Sequence, residues 1–237
     1  MTHHVRSLAP TLLATVLGIA GATPLAAAEA AHPLVLELFQ SQGCSSCPPA
    51  NANVSALTER PDILVLSFGV TYWDRLGWKD TFASPRYTAR QWDYARGLGH
   101  ADVFTPQVVI NGRRDGTGID RRGLAALIIA GDRGVGGPAI GWKPRAVTVS
   151  AAAAPAGGAD VWLVRYDPRI VHVPIKRGEN AGRTLPHKNI VRELTRLGAW
   201  RGRSETLALP PAGDPALRTA VLVQTAGGGP VLAASKG

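Results

Sequence analysis

Apolar residues run almost unbroken over residues 34–39 (Leu-Val-Leu-Glu-Leu-Phe) and again over 63–68 (Ile-Leu-Val-Leu-Ser-Phe). Short runs with no polar face predict strands covered on both sides in a parallel sheet. Between them Ala50, Val54 and Leu57 fall at i, i+4 and i+7, and Arg60-Pro61 stops the pattern, because the residue before a proline is pushed out of the helical region. Strand, helix and strand within ~35 residues predict a right-handed crossover whose two strands are parallel and near neighbours. An aromatic connector follows over 71–83, carrying Tyr72, Trp73, Trp78 and Phe82, and it is longer than the usual link from strand to helix. Ser84 supplies an N-cap and Pro85 a first position for a second helix, with Tyr87, Gln91, Tyr94 and Leu98 on one face and Gly97 and Gly99 at its end. Residues 104–112 read as a turn, a strand and an Asn111-Gly112 hairpin turn, returning through a short strand over 113–118. Asp120 then caps a third helix through Leu124, Leu127 and Ile128.

Past Gly134-Val135-Gly136-Gly137-Pro138 the pattern changes to short apolar runs separated by Gly, Pro and Asp. About seven strands are expected, over 146–150, 161–166, 170–175, 189–197, 206–209, 219–224 and 230–234, a rhythm that suggests a small antiparallel sandwich. Residues 189–197 also fit a helix, with Ile190, Leu194 and Leu197 at helical spacing. Residues 177–185 are polar and glycine-bearing, which suits either an edge loop of the sandwich or a segment packed on the face that ends the first strands. The expected division is a signal segment over 1–28, an α/β domain over 29–133 and a mainly β domain over 139–237.

Composition narrows the function classes. The chain has 237 residues, 45% of them hydrophobic, and a formal net charge of +9, with its arginines scattered over the whole length. No RNA-binding signature or zinc-finger spacing gathers that charge, so it reads as solvated surface, and no nucleic-acid partner is expected. Arg6, an apolar run over 8–22 and Leu25-Ala26-Ala27-Ala28 have the order of a cleaved secretory signal. No later run is long enough to span a membrane. The mature chain is therefore expected in the periplasm or outside the cell, where disulfides persist.

The only two cysteines stand as Cys44-Ser45-Ser46-Cys47, between the first strand and the first helix. Three readings share that spacing: a catalytic dithiol, a structural disulfide, and half of a metal site. A thiolate at a helix N-terminus has a lowered pKa and is the better nucleophile, which favours the redox reading. The hydroxyls of Ser45 and Ser46 can donate to the Cys44 sulfur and stabilise that thiolate. Pro48 works against the simplest version. Were Cys44 the N-cap, Pro48 would sit where the helix first needs an N–H, so the helix begins nearer Ser46 or its first turn is bent. A metal site would need help from His100, His172 or His187, none of which stands at a recognised offset, so no metal and no cofactor is expected. Asp74 and Asp80 are candidates for a proton relay to the thiols, or for helix caps and ion pairs.

The element order resembles that of a thioredoxin-fold domain. The wording Glu-Leu-Phe-Gln-Ser-Gln-Gly-Cys-Ser-Ser-Cys-Pro-Pro-Ala, with Tyr72-Trp73-Asp74, Gly77-Trp78-Lys79-Asp80, Thr105-Pro106-Gln107 and Arg177-Gly178-Glu179-Asn180, is similar to a secreted bacterial family catalogued as domain of unknown function 1223. The resemblance implies an exposed nucleophile at Cys44, a more buried resolver at Cys47 and a cis bond between Thr105 and Pro106. It also implies a substrate groove built from Thr105, Pro106, Ser45, Ser46, Trp73 and Trp78. Its partners would be protein thiols and disulfides of the cell envelope and a redox donor or acceptor protein. A non-catalytic binding module, or a copper or zinc carrier with a structural disulfide, is the alternative. Gly69 and Thr71 stand where that family tends to carry His and Asp, and Gln40 where Thr is more usual.

Overall fold

Strand β1 (Leu34–Gln40) is the centre of the first half, and alternation along it decides what covers each face. The computed structural model describes residues 1–3 and 32–237, so the predicted signal segment lies, beyond its first three residues, outside the described residues. Strand β2 (Ile63–Gly69) pairs with β1 in parallel over its whole length, and β3 (Gln107–Ile110) pairs antiparallel on the other side, followed by β4 (Arg114–Gly116). Leu36 and Leu38 of β1, with Ile63 and Val65 of β2, face helices α1 (Cys47–Ser55) and α3 (Arg121–Ala130) through Ala50, Val54 and Leu124. Val35 and Phe39, with Leu64, Leu66 and Phe68, face the opposite side, where Tyr87 and Tyr94 of helix α2 (Pro85–Leu98) cover them. The period of two in a strand puts one helix layer on each face.

Glu37 falls on the α2 side, inside the core. Its carboxylate accepts two hydrogen bonds from Arg90, at 2.6 and 2.7 Å, and one from the Tyr94 hydroxyl at 2.6 Å. A buried charge persists only when paired and hydrogen-bonded in this way.

The strands of the second half do not close on themselves as the expected sandwich. Strands β7 (Ala159–Asp167), β10 (Ile190–Trp200), β12 (Arg218–Thr225) and β13 (Val231–Lys236) extend the first sheet, in the order β13-β12-β7-β10-β2-β1-β3-β4. A smaller sheet, β11-β6-β5, is made by β5 (Ile140–Lys143), β6 (Ala146–Val149) and β11 (Glu205–Ala208). It packs Val147 and Val149 on Val161, Leu163, Val221 and Val223, so two β layers meet only at this end. A hairpin of β8 (Val171–Pro174) and β9 (Thr184–His187) stands apart from both sheets.

Residues 190–200 are a strand despite their helical spacing. The register against β7 shifts between Val191 and Glu193 and again between Arg196 and Gly198, and each bulge resets the alternation that a strand otherwise displays. The Asn111-Gly112 turn forms as expected, with φ of 48° and 62°. Both values lie in the left-handed region that Asn and Gly tolerate best, and the Arg113 amide closes the turn on the Ile110 carbonyl at 2.9 Å, ahead of the Ile110–Arg114 pair. Asn111 also anchors the sheet, accepting from the Val35 amide at 2.8 Å.

Candidate active site

The first strand ends at Gln40, and a tight turn carries the chain through Cys44 to the start of α1. The Cys44 amide donates to the Ser41 carbonyl at 3.1 Å, and the Cys47 amide to the Cys44 carbonyl at 3.2 Å. The helix begins at Cys47 with Ser46 as N-cap and Pro48 within its first two positions, where a missing N–H costs nothing. That settles the conflict raised by Pro48. It also places Cys44 ahead of the helix rather than at its mouth.

Both sulfurs are free thiols, and both residues are buried. The expected contrast of an exposed Cys44 and a covered Cys47 is therefore absent, since Cys44 is 0% exposed and Cys47 1%. What separates them is chemistry. Interaction with the Cys47 side chain pulls the Cys44 pKa down from an ordinary 9.0 to about 6; burial opposes this, and the Ser46 hydroxyl and the nearby Thr105 side chain add to it. Burial drives the Cys47 thiol far above its ordinary value, and the neighbouring Cys44 pushes it the same way. The Ser46 hydroxyl lies 3.2 Å from Cys44 Sγ, and the Thr105 carbonyl accepts from that sulfur at 3.9 Å. Ser45 does not share the role expected of it. It is exposed, and its amide donates to Glu179 Oε2 at 3.0 Å.

Cys44 is covered by a segment that joins β8 to β9. Asn180, fully buried, donates through Nδ2 to the carbonyls of Gln42, at 3.0 Å, and Cys44, at 2.9 Å. Trp78 packs with Val173, Ile175 and Leu185 beneath this strap, and its Nε1 donates to Gln42 Oε1 at 2.9 Å. Trp73 lies elsewhere, in an open cleft of about 500 Å³ with Tyr72, Trp92, Phe104 and Thr105. The two tryptophans expected to share one groove are thus divided: Trp78 supports the strap, and Trp73 lines the cleft. Pro106 is buried, and the Thr105–Pro106 bond is cis.

The candidate relay acids hold the connector together. Asp80 accepts from the amides of Gln42 and Phe82, both at 2.7 Å, and burial raises its pKa to about 6. Asp74 accepts from the Asp80 amide at 3.1 Å. His100 pairs with Asp115 at 2.9 Å, and His172 is exposed. His187 is buried edge-on against Phe82, its pKa lowered by burial to about 4, and it shares the lining of a small cavity of about 40 Å³ with Cys47 and Gln40. Among the described residues no three His, Cys, Asp or Glu side chains gather as a group able to hold a metal ion, and no helix is long and apolar enough to cross a membrane.

The three departures from the resembled family each have a local account. A Cβ on Gly69 would lie 2.8 Å from the backbone of Phe82 and Ala83, so the connector crosses where a side chain would stand. Thr71 hydrogen-bonds Thr88 at 3.0 Å, and Gln40 spends its amide on Asn51 and Ser67. Gln42, Glu179 and Asn180 were not singled out as site residues, because nothing in their spacing shows that the distant 177–183 segment folds over the dithiol.

Residues 35–224 match the sequence model described as protein of unknown function DUF1223. A crystal structure of a protein from Agrobacterium tumefaciens is 34% identical and superposes with a TM-score of 0.70, over 86% of this chain and 92% of that one. No curated protein matches the chain.

Proposed function

The chain belongs to the DUF1223 family, and from that premise we propose that it is an exported, thioredoxin-like protein that exchanges thiols and disulfides with proteins of the cell envelope. One observation carries the reading: two thiols, separated by two residues, perturbed in opposite directions, with Cys44 near 6 and Cys47 held protonated. A single thiolate with a protonated partner is what a nucleophile and its resolver require. The strand order β2-β1-β3-β4, with β3 antiparallel to β1 and helices on both faces, supports the thioredoxin-like assignment.

In the reducing direction the Cys44 thiolate attacks one sulfur of a substrate disulfide. A Cys44–substrate disulfide forms and the other substrate sulfur leaves as a thiolate. Cys47 then attacks Cys44 Sγ, closing the internal disulfide and releasing the second substrate sulfur, so two electrons pass to the substrate. The reverse order oxidises a substrate dithiol. In either direction a redox donor or acceptor protein must return the pair to its starting state. The cleft beside Thr105 is the approach for the substrate chain.

A Cys47→Ala variant tests this. Cys44 should then attack and remain linked, so incubation with a disulfide-bonded peptide accumulates a peptide adduct that a small dithiol removes. Absence of that adduct, with the variant folded and Cys44 reduced, overturns the proposal.

A further inference from the structure

On the Thr105 side of the dithiol three buried polar atoms close no well-formed hydrogen bond, the Tyr72 hydroxyl, Thr105 Oγ1 and Gln91 Oε1, and on the far side of Cys47 His187 Nε2 closes none either. The first three are not scattered. The Thr105 side chain interacts with both sulfurs, and the Tyr72 hydroxyl stands within interaction range of the Thr105 and Gln91 side chains. Gln91 is itself fixed, since its Nε2 donates to the Phe104 carbonyl and to Gln107 Oε1, both at 2.8 Å. Buried hydroxyls left short of partners cost stability, and such groups call for an explanation. Donors set in advance around the point where charge develops are the commonest one at a reacting centre.

We propose that Tyr72 and Thr105 form a hydroxyl relay that stabilises the thiolate developing on Cys47 when it resolves the mixed disulfide; this rests on the exchange reading above. At rest the Tyr72 O–H is directed to Gln91 Oε1. As the Cys47 S–H bond breaks, the Thr105 hydroxyl donates to the sulfur, and Tyr72 turns its proton to Thr105 Oγ1. Each bond polarises the next. The balance is closed: the Cys44–substrate S–S bond breaks, the Cys44–Cys47 bond forms, and the Cys47 proton ends on the departing substrate thiolate. Without donors, the burial that keeps Cys47 protonated would also block this step. The other titratable groups around the pair are Cys44 itself, whose charge is gone in the mixed disulfide, His187, which shares a small cavity with Cys47 and is neutral above about 4, and Arg75 and Asp102 on the cleft.

Ellman's reagent separates the two steps in the full mature chain. The first equivalent of nitrothiobenzoate reports attack by Cys44, and the second reports resolution by Cys47. Tyr72→Phe should slow the second phase by about three- to tenfold, as expected for loss of the bond that polarises the Thr105 donor, and the first phase by much less. The pH midpoint of the second phase should move up. Thr105→Val should slow the second phase more than the first, which it also touches because Thr105 lies against the Cys44 sulfur, and Thr105→Ser should restore both, which keeps the test open should Tyr72→Phe fold poorly. A two-phase trace that neither Tyr72→Phe nor Thr105→Val alters, at any pH, overturns the relay alone. A wild-type chain that shows no first phase overturns the exchange reading and the relay with it.

Discussion

Cys44 stands three residues ahead of the helix that begins at Cys47, so side-chain contacts rather than the helix terminus hold its pKa near 6. The contact most open to test is Ser46, whose hydroxyl lies 3.2 Å from the sulfur. Ser46→Ala removes a donor from the charged form, so the alkylation midpoint of Cys44 should rise from about 6 toward 9.0. The rise should be on the order of one unit, because a hydrogen bond to a charged group contributes ~1.5–3 kcal/mol, Ser46 is exposed, and one unit is ~1.36 kcal/mol. The sign carries over to redox poise. A depressed pKa stabilises the reduced protein above the folded value, so losing it favours the disulfide and lowers the reduction potential. Alkylation rates across pH and equilibration with glutathione measure the two; a midpoint that does not move removes Ser46 from the site. The Cys-x-x-Cys pair and Ser46 were legible because they are neighbours in sequence. Tyr72 was legible only as an aromatic of the connector, since its relation to Thr105 depends on the fold.

The strap between β8 and β9 is the element that decides access to Cys44. It is held at its middle, where Asn180 donates to the Gln42 and Cys44 carbonyls, and β9 beside it is held where Asn51 of α1 donates to the Pro186 carbonyl at 2.6 Å. With Cys44 0% exposed, a sulfur coming from the Thr105 side reaches it only when some covering segment moves, and the strap, bonded to the Cys44 carbonyl, is the segment that a variant tests. Asn180→Ala should cost the closed arrangement ~1–3 kcal/mol by leaving two buried carbonyls short of a partner. Alkylation of Cys44 by a bulky reagent should then speed up by about tenfold or more, with little change in the global unfolding transition, since such segments open locally. Glu179→Gln, at an exposed contact, should change the rate far less. Equal rates in wild type and Asn180→Ala would show that the strap does not gate the thiol. Here the sequence left two placements open, an edge loop or a cover on the dithiol face, for a physical reason. Residues 177–183 carry no periodicity, and their position is set by amide side chains that meet backbone groups more than a hundred residues away. The strand assignments were readable where a short unbroken apolar run was bounded by turn signals, as in β1, β2 and β3, and ambiguous where bulges left apolar residues at helical spacing, as in β10. β5 and β9 were missed because Gly141 and Pro186 interrupt runs only four residues long.

The glycine-rich stretch at 134–138 marks where the chain changes character, but the sheet runs through both halves. Strand β10 lies parallel to β2: the Ser67 amide donates to the Asn189 carbonyl at 2.9 Å, and Asn189 Nδ2 donates to the Val65 carbonyl at 2.9 Å. On the α2 face, Leu64, Leu66 and Phe68 share one core with Val164, Tyr166, Val191 and Leu194. Arg90, paired with Glu37, sits 5.5 Å from the Trp162 ring of β7, so even the buried ion pair is covered by the second half. Removing residues 139–237 would expose one edge of β2 and part of each of these side chains. Full burial of a Leu or Phe contributes ~1.5–3 kcal/mol, and partial loss over several of them approaches the ~5–15 kcal/mol that holds a whole domain together. Arg90 would also meet water, weakening a pair that depends on a dry surround. Fragment 32–133 is therefore expected to melt without a cooperative transition and to bind a hydrophobic dye, although it holds every cysteine and the Thr105–Pro106 wall. Adding fragment 139–237 should restore the transition, because the lost contacts are between strands and need no covalent link. A sharp, reversible melt of the isolated first fragment would show instead that the shared core is dispensable and that the half carrying the two cysteines stands alone.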